Sequence, residues 1–340
     1  MQVRPVEPAG GLLAVHAHPD DETLTSGALL ATWSRAGLPV TLVTCTRGER
    51  GEVIGEGLAH LEGDGPALAA HRETELAAAL DALGVRDQVF LDAVGAGAAG
   101  GPGASAAGRR FEDSGMAWLA PGIAAAGAAL PERAFVGVPL DDAARRLAEV
   151  LLDRRPRVVA TYEPGGGYGH PDHVRAHEVT VAAVDLAHAA AGESFVEELW
   201  CAVVPESLAR AGRRALCAAG VPAGLTLPDP DGPLPPVAVP DDAPGELVAV
   251  PVGPVLGRVL AALRAHATQV RAVEKLGDGP APAADARAED VAAADRRTVL
   301  ARYALSNDVL APVPAYEHHA VVRPAVGGAA SADVAVPGSR

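Results

Sequence analysis

Aromatic residues make up only 3% of this 340-residue chain, and it has three cysteines. Cys45, Cys201 and Cys217 are too few and too scattered for a disulfide framework, and their number is odd; they suit buried thiols in a reducing compartment. No long apolar run is present either. The N-terminus offers only Leu12 to Val15, with no small-residue cleavage site of a signal peptide. The least polar long stretch, Met116 to Leu130, is broken by Pro121 and two glycines and is too short to span a bilayer. The expectation is a soluble cytoplasmic protein. Basic charge is also short, 28 Lys and Arg against 43 Asp and Glu, a net charge of −15. So acidic a surface repels nucleic acid phosphates and anionic membranes, and neither is an expected partner. It says little about a small neutral substrate. No internal repeat is visible.

What is present is a globular composition, 49% apolar and rich in alanine and glycine. The length suits one large α/β domain or a main domain with a smaller appendage. Strands and helices alternate over residues 1–192. Leu12 to Val15, Pro39 to Thr44, Val89 to Leu91 and Val158 to Thr161 read as buried strands; Thr23 to Arg35, Ala67 to Leu83, Asp141 to Arg154 and Asp172 to Ala191 read as helices. The alternation predicts a Rossmann-like α/β fold, a mostly parallel sheet with helices on both faces. Residues 193–324 are less regular and are expected to complete a cleft. Glu198 to Val204 and Leu247 to Val252 read as strands, Pro254 to Gln269 as a helix, Val221 to Pro244 as loop and Gly277 to Ala288 as a linker. Residues 325–340 read as a disordered tail.

Two segments carry chemistry. His16-Ala17-His18-Pro19-Asp20-Asp21-Glu22 directly follows the first buried strand, where open α/β sheets collect ligands. An imidazole and two carboxylates on one turn could hold a divalent metal and leave one carboxylate as a base. An ordinary turn, with Asp20 or Asp21 capping the next helix, would also account for them. The second segment, Glu163 to His173, comes after another buried strand and contains Tyr168-Gly169-His170-Pro171-Asp172-His173. Two such turns, each after a strand and before a helix, would face one another across the ligand crevice, and that pairing favours a site over two coincidental caps.

His18 to Glu22 together with Gly169 to His173 resemble the PIG-L/LmbE-like zinc deacetylases. Val43 to Thr46, Gly48-Glu49, Gly51 to Gly55, Asp113 to Ala117 and Ala265 to Val270 extend the likeness, which is poor between about Glu193 and Glu246. The resemblance implies one zinc ion held by His18, Asp21 and His173, with Asp20 as general base. It implies that Tyr168 and His170 stabilise the transition state, with Asp172 as partner to His170. Arg72, Glu52, Asp113 and Met116 match positions that touch sugar or inositol, in members that deacetylate N-acetylglucosaminyl-inositol (GlcNAc-Ins) in mycothiol biosynthesis. The implied partner is a small amino-sugar substrate. The leaving amine would take its proton from Asp20 or from His170.

Three other functions compete. A mycothiol S-conjugate amidase would use the same zinc residues on a larger amide. A metal-dependent glycosyltransferase would place magnesium on Asp20-Asp21, but paired histidines suit zinc better. A sugar-binding module with a structural metal would need four protein ligands where three are offered. Gly95 to Gly100 matches G-x-G-x-x-G, yet Gly101-Pro102-Gly103 stands where a helix should open, so no dinucleotide is expected. His318-His319 reads as surface, Arg72 alternatively as a solvent-facing partner of Glu73 or Glu75, and His266 as either a site residue or helix packing.

Overall fold

Leu12 to Val15 are each at most 1% exposed, and a strand without polar alternation is stable only where both its faces are covered. The computed structural model, which describes residues 1–95, 110–120, 123–126, 130–277 and 298–322, places that strand in the interior of the sheet, paired on both sides. In chain order the elements are β1 (Gln2–Pro5), β2 (Leu12–His16), α1 (Asp21–Arg35), β3 (Val40–Thr44), α2 (Gly65–Leu83) and β4 (Asp87–Phe90). Next come a hairpin, β5 (Met116–Ala120) and β6 (Ile123–Ala126), then α3 (Leu140–Arg154), β7 (Val158–Tyr162), the single turn α4 (Gly166–Gly169) and α5 (Pro171–Ala191). The remainder is β8 (Glu198–Pro205), α6 (Glu206–Ala219), β9 (Ala238–Val239), β10 (Glu246–Pro251), α7 (Leu256–Ala265), β11 (Arg271–Lys275), β12 (Val299–Ala304), β13 (Leu310–Pro314) and β14 (Tyr316–Val322).

The main sheet runs β1-β10-β14-β8-β7-β2-β3-β4, with β9 attached to β8. It is parallel except at β14, which lies antiparallel to both β10 and β8. Helices α1, α2 and α7 bury Trp33, Leu76 and Leu263 against Leu12, Ala14 and Leu42 on one face. On the other, α3 and α5 bury Leu147 and Val179 against Leu13 and Val15. This is the predicted Rossmann-like arrangement. From β2 the chain moves outward one way through β3 and β4, then returns to β7 on the other side of β2. The carboxyl ends of β2 and β7 therefore flank the point where strand order reverses, and a crevice opens there.

Several expectations need correction. The helix expected to reach Gln269 stops at Ala265. Residues 299–322 form strands, and β13 was hidden by Pro312 and Pro314; β13 is the edge of a three-stranded sheet, β11-β12-β13, where proline is tolerated. Helix α6, which packs Leu216 against Val299 and Leu310 of that sheet, was also missed. His319 is not on the surface: it is wholly buried, because β14 slots between β10 and β8. Cys45 and Cys201 are buried but Cys217 is exposed. The Gly95–Gly108 loop beyond Gly95, the linker beyond Gly277 and the 325–340 tail lie outside the described residues.

Strand β14 also repairs a break in α1. Ser26 leaves helical torsions (φ −140°, ψ 18°), so the helix restarts after it with new N–H groups to satisfy. Ala28 N–H and Leu29 N–H donate to the two carboxylate oxygens of Glu317, at 2.7 and 2.9 Å. Truncating Glu317 leaves both donors without that acceptor, at a cost of about 1–3 kcal/mol. Glu317→Ala should lower the denaturant midpoint accordingly. Glu193→Ala, which removes an exposed ion pair with Arg155, should stay within about 0.5 kcal/mol of wild type.

Candidate active site

Strand β2 ends at His16 and α1 begins at Asp21, so the intervening turn projects from the sheet into the crevice. Strand β7 ends at Tyr162, and Glu163 shapes the glycine loop beyond it: its carboxylate accepts N–H groups of Gly165 and Gly167. Gly166 has φ +67°, and a Cβ there would fall 2.7 Å from the Val174 backbone nitrogen. Only glycine lets this loop fold back tightly enough to bring α5 to the crevice. His170 then caps α5, its Nδ1 accepting the Asp172 N–H at 3.1 Å, with Pro171 in the first turn.

The two turns bring three donor atoms together. His18 Nδ1 lies 3.1 Å from Asp21 Oδ2, His173 Nε2 lies 3.2 Å from the same oxygen, and the two nitrogens are 3.3 Å apart. Atoms that share one tetrahedral ion at about 2.1 Å stand about 3.4 Å from one another, so the triangle matches a metal's demand. Each ring is turned by its other nitrogen. His18 Nε2 meets Asp172 Oδ2 at 3.2 Å, and His173 Nδ1 meets the Gly166 carbonyl at 3.2 Å. If those nitrogens carry the protons, the inward nitrogens present lone pairs, the usual outer support of metal-binding histidines. The field also favours a cation: burial alone would lower the His18 pKa, but Asp113, Asp172 and Asp21 together raise it well above the ordinary value. Burial works against an ionised Asp21, yet His173 and His18 hold its carboxyl well below the usual range. His170 also brings a donor atom close to those of His18 and His173, and His18, Asp113, His170 and Asp172 form a second, overlapping group.

Asp20, one residue before Asp21, sits in different surroundings. Burial pushes its carboxyl up to about 6, the Arg72 guanidinium working the other way. Its backbone has φ 111°, a strained value for a side-chain-bearing residue. His170 is held neutral, because burial and the neighbouring His18 and His173 pull its pKa down to about 2. With Nδ1 accepting from the backbone, its proton sits on Nε2. Burial, with Asp21 and Asp20 nearby, raises the Tyr168 phenol well above its ordinary pKa and keeps it a donor. One expected contact differs: Asp172 reaches His170 through its backbone N–H, while its carboxylate serves His18 and Ser114, whose Oγ–H donates at 2.5 Å.

The four expected substrate residues all line a cavity of about 840 Å³ beside this cluster. Glu52 is exposed at its rim and Met116 half-buried at the start of β5. Asp113 is buried, with Oδ1 accepting from Gly115 N–H at 2.8 Å and standing 3.7 Å from His18 Nε2. Arg72 is not a solvent-facing partner of Glu73 or Glu75. Only 3% exposed, it donates to the Gly48 carbonyl at 2.6 Å and to the Pro19 carbonyl, and its Nη2 lies 3.2 Å from Asp20 Oδ1. A Cβ at Gly48 would collide with that guanidinium. Sequence reasoning missed Ser114, which lay inside the Asp113–Ala117 segment. It also missed Tyr162, whose ring stacks on His173 with centroids 4.2 Å apart. No motif marks a tyrosine at a strand end.

A Rossmann-like fold with a buried His-Asp-His cluster at its switch point is the architecture of a metal-dependent hydrolase. The chain belongs to the PIG-L family, described as GlcNAc-PI de-N-acetylase, which it matches over residues 13–184. It is 42% identical over 327 residues to a Kineococcus radiotolerans protein named 1D-myo-inositol 2-acetamido-2-deoxy-alpha-D-glucopyranoside deacetylase, covering 93% of this chain and 78% of that one. It is 41% identical over 311 residues to a Saccharopolyspora erythraea protein named 1D-myo-inositol 2-acetamido-2-deoxy-alpha-D-glucopyranoside deacetylase 1, covering 91% and 88%. Among solved structures, a deacetylase–teicoplanin complex is similar with a TM-score of 0.47 at 18% identity, over 92% of this chain and 98% of that one. Among the described residues, no helix is long and apolar enough to cross a membrane.

The support given to His18 by Asp172 is open to measurement. Removing such an outer partner typically costs about 10–100-fold in metal affinity. Asp172→Ala should weaken binding of a divalent ion by that factor in a chelator competition, with the fold retained by circular dichroism.

Proposed function

We propose that this chain is a zinc-dependent N-deacetylase that hydrolyses GlcNAc-Ins to glucosaminyl-inositol and acetate, with His18, Asp21 and His173 as the zinc ligands. The observation that carries the reading is the triangle of Nδ1, Oδ2 and Nε2 at 3.1–3.3 Å, with the Asp20 carboxylate beside it rather than in it. Two imidazoles and a carboxylate suit zinc, and three protein ligands leave a position open, as catalytic sites require. Zinc bound there supplies a Lewis acid for the acetyl carbonyl and the attacking water. The name shared by the relatives at 42% and 41% identity supports the substrate.

Asp20 takes the proton of the attacking water, and a buried carboxyl with a pKa near 6 is suited both to accept a proton and to return it. His170 Nε2–H and the Tyr168 hydroxyl donate to the oxygen that gains charge as the carbonyl becomes tetrahedral. His170 is poorly placed to protonate the leaving amine. An imidazolium would carry a second proton on Nδ1, against the Asp172 N–H that nitrogen accepts. Asp20 therefore returns its proton to the amine. Glu52, Asp113 and Met116 are assigned to sugar and inositol contacts. Arg72 faces the same cavity, but its two terminal nitrogens contact Gly48, Pro19 and Asp20, so its larger part is to hold the base.

A second reading, cleavage of a mycothiol S-conjugate at the same residues, is favoured by one observation. The cavity is also lined by Leu208, Leu234, Val299 and Leu310, apolar side chains that a polar disaccharide does not need.

Release of the free glucosamine amine, the product common to all three, should be measured from GlcNAc-Ins, from N-acetylglucosamine and from an S-conjugate. We expect kcat/KM for GlcNAc-Ins to exceed that for N-acetylglucosamine by roughly tenfold or more, since a site built for hydroxyls leaves polar groups unpaired without the inositol. Equal values would reduce the assignment to a general deacetylase, and a preference for the S-conjugate would favour the second reading. Asp20→Asn should keep zinc by elemental analysis and lose at least about 10²-fold in kcat. His170→Ala should also keep zinc and lose on the order of 10²-fold in kcat, with a smaller change in KM. Alanine at His18, Asp21 or His173 should lower metal content itself, and full occupancy in all three would reject the ligand set.

A further inference from the structure

Asp20 is held from two sides. On one, Arg72 of α2 binds the Pro19 carbonyl and the Asp20 carboxylate. On the other, Glu22 Oε2 accepts the Asp20 N–H at 2.9 Å. That hydrogen bond is made by the strained residue itself, and its acceptor must stay fixed for the strain to persist. The Glu22 carboxylate is anchored in turn: Oε1 accepts from the Thr23 hydroxyl at 2.5 Å and pairs with His266 Nε2 at 2.7 Å. Glu22 and His266 are both fully buried, 244 residues apart in sequence.

His266 is where α7 ends, at φ −82° and ψ 55°, and the turn it begins is braced. Its carbonyl accepts Gln269 N–H and Val270 N–H at 3.0 and 2.8 Å. Thr268 donates its N–H and hydroxyl to Glu75 of α2 at 2.8 and 2.6 Å. The imidazole is thus presented to Glu22 by a turn locked to two helices. Residue types suited only to packing would not place a polar ring nitrogen against a buried carboxylate.

We propose that His266, acting through Glu22, is a positioning residue for Asp20, fixing the torsion that points the Asp20 carboxylate at the reacting water. The inference rests on Asp20 being the general base. Misplacing a catalytic group by about 1 Å can cost on the order of 10²-fold in rate. In the full-length, zinc-loaded enzyme, His266→Ala should lower kcat by about 10–100-fold while KM and metal content change little. His266→Gln, whose amide can again donate to Glu22, should recover most of that loss. The double variant Asp20→Asn/His266→Ala should be no slower than Asp20→Asn alone, because nothing remains to be positioned. If His266→Ala is poorly folded, His266→Leu, which fills the space but cannot donate to Glu22, takes its place and should show the same kcat loss and the same absence of further loss in the Asp20→Asn background. Near-normal kcat in His266→Ala beside an inactive Asp20→Asn would overturn the inference and leave the base assignment intact. So would losses that multiply in the double variant, or a loss that His266→Gln does not recover. Near-normal kcat in Asp20→Asn would instead reject the base, and this inference with it.

Discussion

The site depends on the orientation of two imidazole rings. His18 and His173 each have one nitrogen turned inward to Asp21 and one turned outward to a fixed acceptor, the Asp172 carboxylate or the Gly166 carbonyl. Rotating either ring would remove a nitrogen from the triangle and break its outward contact. Ser114 holds the Asp172 carboxylate, and the glycine loop holds the Gly166 carbonyl, so the geometry of a small cluster is passed outward into β5, β7 and α5. Buried polar groups of this kind specify one arrangement because every alternative leaves a group unpaired.

Adjacent residues of like chemistry acquire different properties here. Asp21 lies between two histidines that stabilise its ionised form, whereas burial makes the Asp20 carboxyl easier to protonate. Environments that push two carboxyl groups apart in this way suit them to different roles. The separation relies on the unusual backbone of Asp20, which turns neighbouring side chains in different directions. Its retention relies on contacts from α2 and from the end of α7.

Residues 193–324 are part of this architecture and not an addition at its margin. Strands β8, β10 and β14 extend the same sheet, Glu317 completes the broken α1, and His266 reaches Glu22. Strands β12 and β13 and helix α6 line the cavity. Together these elements shape the cavity beside the His-Asp cluster.

The alternation of buried strands and helices was legible because hydrophobic periodicity is a local property. The two His-Pro-Asp turns were legible for a related reason: side chains that converge in one cluster come from short turns at strand ends, where their spacing is visible in the chain. The strands after Lys275 were not legible, since Pro312 and Pro314 contradict strand propensity unless the edge position of β13 is known. The surroundings of individual site residues were equally hidden. Local sequence left Arg72 open to a surface ion pair, His266 to simple packing and His319 to exposure; their burial comes from contacts with segments tens to hundreds of residues away. Sequence by itself determined which donors the site contains, because those are set by residue type and local spacing. Only the tertiary structure decided which nitrogen of each histidine faces inward, which aspartate stands apart and what holds it there, because hydrogen-bond partners and burial are made by the fold.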